Sequence, residues 1–443
     1  MRVLLVHPPA GSDMPANYVG ESLGLGYLTA VLRRDGHEVQ ILDAAIQRIS
    51  GKEAISKILN SDFDCLGITA LHEDKDFLVA AARAVKANRK NAIVCAGGYL
   101  PSLSTEPLLT ECPELDFVIR GEGEHSTREV FRRIAANQNW LDAPGVACRQ
   151  NGRVVMNAPP PLIDDLDSLP FPARDVLSQA RNRDLLFAVA SSSRGCYHRC
   201  SFCCVHHFYG LSGGKAPRFR SPSNFVDELE HVIATTGVRD FAFISEDFLG
   251  PGKAAENGLA IGQEIINRKL DIKFTIEARA DSVSEDRINF LKKAGLVGVF
   301  MGIESGCQRQ LDTYNKAITV EKNKLGIEIV RRCGVEVQPG FIMFDPYVTP
   351  DELQENLQFV KETKLYAGRA PLLKCRIYHG VALAEKVRQD GLLIEKGTHL
   401  DYEFADPRTR KMWRMVTLVQ RMSKLKNKLA RTLGRKIDKH YAE

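Results

Sequence analysis

Arg194-Gly195-Cys196-Tyr197-His198-Arg199-Cys200-Ser201-Phe202-Cys203-Cys204 is the stretch from which the rest of the chain is read. Cys196, Cys200 and Cys203 have CxxxCxxC spacing and follow the apolar run Leu186–Ala190, a candidate buried strand. A loop of this spacing can wrap three thiolates around one face of an iron–sulfur cubane. Three ligands leave one iron open, whereas electron-transfer clusters use four cysteines. A zinc site is the competing reading and needs a fourth ligand. Cys204, His206 and His207 stand near enough in sequence to be proposed. Cys204 adjoins Cys203 and reads better as a packed thiol, and the two histidines as loop residues.

Downstream of this loop the apolar runs recur with helical stretches between them. Candidate strands are Leu186–Ala190, Phe241–Ser245, Phe274–Ala278, Val299–Ile303, Val337–Phe344 and Leu372–Tyr378. Residues 224–235, 286–293 and 321–332 carry helical periodicity. Six βα repeats predict a barrel, or part of one, with its site at the strand C-termini. Upstream, Val3–Val6, Val39–Leu42, Leu66–Thr69, Ile93–Ala96 and Phe117–Ile119 read as strands. The helical stretches 25–32, 77–87 and 127–136 alternate with them, which predicts a doubly wound, largely parallel α/β sheet. Five prolines between Pro159 and Pro172 mark the linker. The expected organisation is an α/β domain over 1–150, a Pro-rich linker over 151–180, a barrel over 181–380 and a helical, basic extension over 381–443.

Composition narrows the class. The chain has 443 residues, 44% of them hydrophobic, and a net charge of +5, too mild to call for nucleic acid. No apolar run approaches the ~18 residues of a membrane span, and Val3–Val6 stops at Pro8-Pro9, too short for a signal-peptide core. A cytoplasmic location is expected. The cysteines number eleven, an odd count, and those outside the loop are scattered singly, so a disulfide framework is not expected. The basic residues from Arg410 to Lys439 are interleaved with Met, Leu and Val, and read as a solvated helical face.

With its cysteine loop directly after the first of six strands, the stretch of roughly 186–380 resembles the radical S-adenosylmethionine (SAM) superfamily. The resemblance implies a [4Fe-4S] cluster on Cys196, Cys200 and Cys203. Its open iron chelates SAM, and cluster reduction cleaves the sulfonium to a 5′-deoxyadenosyl radical. It also implies SAM contacts at Phe202, at Ser245-Glu246, at Arg279, at Glu304-Ser305 and at Ile342. The family's two glycines are missing before Glu246, and Asp345 replaces a glycine in the fifth-strand segment. The N-terminal domain resembles the cobalamin-binding domain of the B12-binding radical SAM class. The residues that carry this are His7-Pro8-Pro9, Leu23–Leu28, Gly97-Gly98, Arg120–Glu124 and Pro170–Arg174 in the linker. Glycine loops let backbone approach a corrin closely. The candidate cobalamin contacts are Leu71, His72, Gly97, Gly98, Gly121, Glu122 and Gly123. The Asp-x-His-x-x-Gly motif of mutase-type proteins is absent, since Ala70 and Lys75 flank His72 at the positions it needs.

This class resemblance implies cobalamin-dependent methylation of an unactivated carbon in a small metabolite, as in natural product biosynthesis. An external electron donor of the flavodoxin or ferredoxin type is implied with it. The alternative is a non-methylating dehydratase, cyclase or epimerase on a sugar-like substrate, with a degenerate B12 domain. A non-enzymatic carrier or sensor has no need of six strands behind the cysteine loop. Tyr378 and His379, at the last strand's end, are candidate substrate contacts.

Overall fold

Val3–Val6 are almost fully buried, as an apolar run flanked by helices on both faces demands. They form the centre of β1 (Arg2–His7) in the computed structural model, which describes residues 1–10, 20–180, 186–213, 217–368 and 372–432, with backbone alone at 421 and 423–432. The other strands of the first sheet are β2 (Glu38–Asp43), β3 (Cys65–Thr69), β4 (Ile93–Gly97), β5 (Phe117–Ile119), β6 (Val146–Gln150) and β7 (Arg153–Met156). Their order is β2-β1-β3-β4-β5-β6-β7; β1 to β5 are parallel, and the last two are antiparallel. Helices α1 (Leu23–Arg34), α2 (Gly51–Asn60), α3 (Lys75–Asn88), α4 (Tyr99–Leu103), α5 (Thr105–Glu111) and α6 (Gly123–Ala135) fill the connections. The doubly wound reading holds. The sheet nevertheless continues to Met156, past residue 150. The added hairpin strand β7 is largely solvent-exposed, so it carries no buried apolar run to announce it.

The second sheet is parallel throughout, in the order β14-β13-β12-β11-β8. Its strands are β8 (Ala188–Ala190), β11 (Asp240–Phe243), β12 (Lys273–Arg279), β13 (Leu296–Glu304) and β14 (Glu336–Phe341). A short antiparallel pair, β9 (Ser193–Arg194) with β10 (Arg218–Phe219), interrupts the first crossover. Helices α8 (Pro222–Thr236), α9 (Lys253–Asn267), α10 (Glu285–Lys293), α12 (Val320–Arg332) and α13 (Pro350–Glu362) pack behind the strands, with α11 (Gln308–Thr313) after β13, while α7 (Val205–Gly210) turns toward the first domain, where Phe208 meets Tyr99 of α4. Phe274, Ile276 and Ala278 turn outward into that core, while Thr275, Glu277 and Arg279 alternate toward the barrel interior. The expected sixth strand, 372–378, is reduced to one parallel bridge, Phe344 with Lys374. The chain beyond it is drawn to the N-terminal domain, where Arg376 pairs with Glu73 at 2.6 Å and Tyr378 stacks on His72.

The C-terminal extension is not wholly helical. Between α14 (Ala382–Gln389) and α15 (Pro407–Thr432) stands a hairpin of β15 (Leu393–Lys396) and β16 (His399–Tyr402). Its two-residue turn, Gly397-Thr398, is the local signal. The Thr398 N–H donates to Glu111 of the first domain at 2.7 Å. On α15, Trp413 packs against Phe344 and Phe404. Met415, Leu418, Val419 and Met422 are exposed. Among the described residues no helix is long and apolar enough to cross a membrane.

Two sequence signatures pack on each other to join the domains. Gly26, in α1, lies where a Cβ would come within 3.0 Å of the Ala173 carbonyl and of Pro172. The Ala173 N–H donates to the Gly26 carbonyl at 3.0 Å. Arg174 follows and is buried between Glu21 and Glu228, with its guanidinium also donating to the Val189 carbonyl at 2.8 Å. The linker is thereby bonded at once to the first helix, the first barrel strand and α8.

Candidate functional site

The cysteine loop hangs between β9 and α7 and is held from several sides. The Ser201 N–H donates to Tyr314 O at 2.8 Å, its hydroxyl to Thr313 O at 2.9 Å, and Asn315 Nδ2 to Arg199 O at 2.9 Å. Ser201 O accepts from the Leu383 N–H at 2.8 Å. Cys196, Cys200 and Cys203 are half-buried, and Cys203 is within electrostatic reach of both others. Burial pushes the thiols of Cys196 and Cys203 up to about 12 and raises that of Cys200, so each holds its proton until a metal displaces it. Cys204 is within reach of Tyr99 and Tyr378 as well as Cys203, and His207 lies against Gly380. Mononuclear zinc would need a fourth ligand beside these three thiols. Three soft thiols grouped on one loop suit an iron–sulfur cubane, whose irons are spread over a volume.

The barrel strand ends around this loop divide into fixed and free groups. Ser245 is fully buried, and its hydroxyl is bonded to Ser192 Oγ at 2.8 Å and to the Ser192 N–H at 3.1 Å, which ties β11 to the chain entering the loop. Ser305 is likewise buried, bonded to Gln310, Asn356 and the Cys307 N–H. Glu304 has φ +61° and pairs with Lys316 at 3.0 Å; its carbonyl accepts from the Ile342 N–H at 2.7 Å. Phe202 stands edge-on to Tyr314. Asp345 accepts from Gln310 and Tyr314 and so braces α11 rather than opening a cradle. Arg279 pairs with Asp281 at 2.8 Å, yet its Nη1 is buried with no partner. Glu246 accepts from the Gly195 N–H at 3.3 Å, and its Oε2 is buried with no partner. The free Arg279 Nη1 can donate to a carboxylate, and the free Glu246 Oε2 can accept from a donor such as an ammonium, although burial raises the Glu246 carboxyl.

Glu246 also lines a cavity of about 610 Å³ that runs into the N-terminal domain. Its walls include Leu71, Gly97, Gly98, Gly121, Glu122 and Gly123 from the strand ends of the first sheet, with Ile244, Glu246 and Glu277 from the barrel. Between sheet and helices the wall is apolar, with Leu5, Leu25, Leu28 and Phe131. Gly98 has φ +94°, and a Cβ there would meet Thr69 Oγ1 at 2.9 Å, so only glycine fits. A cavity of this size with close-lying backbone suits a large flat cofactor and an attached tail. Glu122 presents wall rather than a free carboxylate. Its oxygens accept from Arg194 at 3.1 Å, from Arg218 at 2.8 and 2.9 Å, and from the Ile163 N–H at 3.0 Å. Burial opposes its ionisation, but the two arginines hold its carboxyl below the usual range. His72 is not among the lining residues. It stacks on Tyr378, with centroids 4.9 Å apart, and burial drives its pKa down to about 4. Tyr378 and His379 likewise stand outside the cavity wall, His379 facing Glu395.

Residues 190–360 match the family model of the Radical SAM superfamily, and residues 15–131 that of the B12 binding domain. The chain is a radical SAM protein with an N-terminal B12-binding domain. As such it is an enzyme whose cofactors are SAM, a [4Fe-4S] cluster and cobalamin. It is 28% identical over its whole length to a protein described as an uncharacterized methyltransferase of Pyrococcus horikoshii, of which it spans 92%. It is 26% identical to the anaerobic magnesium-protoporphyrin IX monomethyl ester cyclase of Rubrivivax gelatinosus, over 82% of this chain and 66% of that protein. The cobalamin-dependent SAM radical enzyme OxsB, solved with aqua-cobalamin and SAM, has the same fold, with a TM-score of 0.75 at 22% identity. That likeness covers 91% of this chain and 64% of OxsB, so the chain spans less than two thirds of that protein.

Several residues of the radical SAM site carry no motif and emerge only in the fold. Glu277 lines the cavity beside Glu246, and burial together with that neighbour pushes its carboxyl up to about 7. Its alternation along β12 is the only signal in the sequence, and every inward residue of a strand shares it. Arg194 and Arg218 are basic residues of ordinary appearance until both meet Glu122. His7 stands in the first-strand signature, but its pairing with Asp43 is not legible there.

Proposed function

We propose that this radical SAM enzyme is a cobalamin-dependent methyltransferase acting on an unactivated carbon of a small metabolite. One observation carries the reading: a single cavity has glycine loops of the B12-binding domain at one end and barrel strand ends beside the cysteine loop at the other. When bound, the cluster supplies the electron that cleaves SAM, and the corrin supplies a methyl carrier. In this reading Cys196, Cys200 and Cys203 hold the cluster. Arg279, through Nη1, pairs with the carboxylate of SAM, and Glu246, through Oε2, accepts from its ammonium. Phe202 and Ile342 border the adenine, while Ser245, Glu304 and Ser305 hold the strand ends that present these groups. Gly97, Gly98, Gly121, Gly123 and Leu71 bring backbone against the corrin, and Glu122 closes the wall between the domains. Tyr378, stacked on His72 between the domains, and His379 are the substrate contacts in this reading. The apolar walls exclude water from the reacting centre. A small low-potential protein of the flavodoxin or ferredoxin type is the electron source.

Anaerobic reconstitution with iron, sulfide and hydroxocobalamin, followed by removal of excess ligand, tests the reading. Corrin retained near one per chain, with labelled methyl passing from SAM to a carbon of the product, is the expected result. A reconstituted cluster without retained corrin overturns methyl transfer. Retained corrin with 5′-deoxyadenosine but no methyl incorporation redirects the assignment to ring chemistry of the kind named for the Rubrivivax relative.

A further inference from the structure

We infer that α15 is a membrane-surface anchor: it lies along a bilayer rich in anionic lipid, with an apolar stripe at the acyl boundary and basic residues among the headgroups. This is independent of the chemistry of the cavity.

The helix has two apolar faces, and the fold uses one of them. Met412, Trp413 and Val416 pack on the barrel core. Met415, Leu418, Val419 and Met422 stand three, four and seven residues apart and form a second stripe, each of them more than half exposed. Scattered exposed apolar residues need no explanation, but a contiguous stripe on one helix face marks a surface that meets something apolar.

Charge says what that is. Residues 407–437 hold eleven Lys and Arg and no Asp or Glu, while the whole chain has a net charge of +5, so the rest of the molecule is net acidic. Arg408 and Arg410 are paired, with Asp406 and Glu403. Lys411 and Arg414 are exposed beside the stripe and have no acidic partner among the described residues. A basic helix with a separate apolar stripe is the pattern of segments that lie in the bilayer interface, the stripe buried and the cations on anionic lipid. The helix is not apolar enough to cross the bilayer.

A second copy of the chain fits the stripe less well. In the sequence Leu425 and Leu429 continue the alternating three-four spacing of Met415, Leu418 and Met422, as in a coiled-coil seam. Arg421, Lys426 and Lys428 flank that seam, so two copies would set like charges against each other. A nucleic acid would take up the charge and leave the stripe wet.

The experiment uses the full chain with cluster and corrin reconstituted anaerobically. It is sedimented with vesicles of phosphatidylcholine alone and of phosphatidylcholine and phosphatidylglycerol in equal parts. Binding to the mixed vesicles is expected to be at least about tenfold tighter, with the difference shrinking as salt is raised. Leu418→Glu is expected to weaken that binding by about tenfold or more, and Arg414→Gln by about fivefold. No binding to the mixed vesicles overturns the inference. So does binding that Leu418→Glu leaves intact, because charge alone would then hold the protein, as it would on RNA. A dimer in free solution that Leu418→Glu converts to a monomer assigns the stripe to a second copy and also overturns it. The vesicle and salt comparison needs no variant and stands if Leu418→Glu does not fold.

Discussion

Replacing Glu277 by glutamine is expected to stabilise the protein at neutral pH and to leave acid stability nearly unchanged. Glu277 faces the cavity, and burial, with Glu246 beside it, raises its carboxyl from 4.5 to about 7. An acid whose pKa is raised on folding keeps its proton in the folded chain while the unfolded chain loses it. Stability therefore falls as pH rises between those two values. The slope is about 1.4 kcal/mol per pH unit, and over the whole interval the loss reaches about 3 kcal/mol. Glutamine has nearly the same shape and no proton to lose, so its stability escapes this fall. The assay is thermal unfolding of the cofactor-free protein and of Glu277→Gln across the range from acid to slightly alkaline. The difference between the two curves is expected to open through the interval and then level off. For a domain of the barrel's size about 3 kcal/mol corresponds to roughly 6–12 °C in Tm. Parallel curves, with a difference independent of pH, would refute the claim that Glu277 is held protonated by its surroundings.

Glu122→Gln leaves the buried Arg218 facing a neutral amide, while Arg194 keeps its pairing with Glu124 at 2.6 Å. A cost near the lower end of the 3–5 kcal/mol seen when a buried pair loses one member, about 3 kcal/mol, is expected by thermal unfolding. Combining it with Arg218→Met should recover part of that loss, and strict additivity of the two changes would show that the contact is not coupled. Gly26→Ala forces a methyl against the Ala173 carbonyl and Pro172. It is expected to cost about 1–3 kcal/mol as overpacking and to speed proteolytic cleavage in the linker, whereas unchanged cleavage would deny that this contact locks it. Alanine at Cys196, Cys200 or Cys203 is expected to abolish the iron–sulfur absorption after reconstitution, while Cys204→Ser retains it. Loss of the cluster in Cys204→Ser would add a fourth ligand to the site.

How legible the molecule was in its residues depended on the range of the interaction concerned. The cysteine loop, the βα alternation and the glycine at position 98 are local matters. Ligand spacing, apolar periodicity and a backbone with positive φ each act over a few residues, and each leaves its mark in the order of residues. The sixth barrel strand misled because its apolar run says nothing of Glu73 and His72, which draw that segment away. The hairpin at Gly397-Thr398 was obscured by the helical sequence on either side. What the sequence by itself determined was therefore the two-domain order, the class of each domain and the three thiols. Only the tertiary structure decided that the glycine loops and the barrel strand ends share one cavity, that Glu122 is bonded to Arg194 and Arg218, and that His7 is backed by Asp43. A carboxylate on a strand reads the same whether it meets water or a guanidinium. Its charge, its pKa and its use are set by groups far away in the chain, which desolvation and Coulomb attraction bring to bear only when the fold has closed.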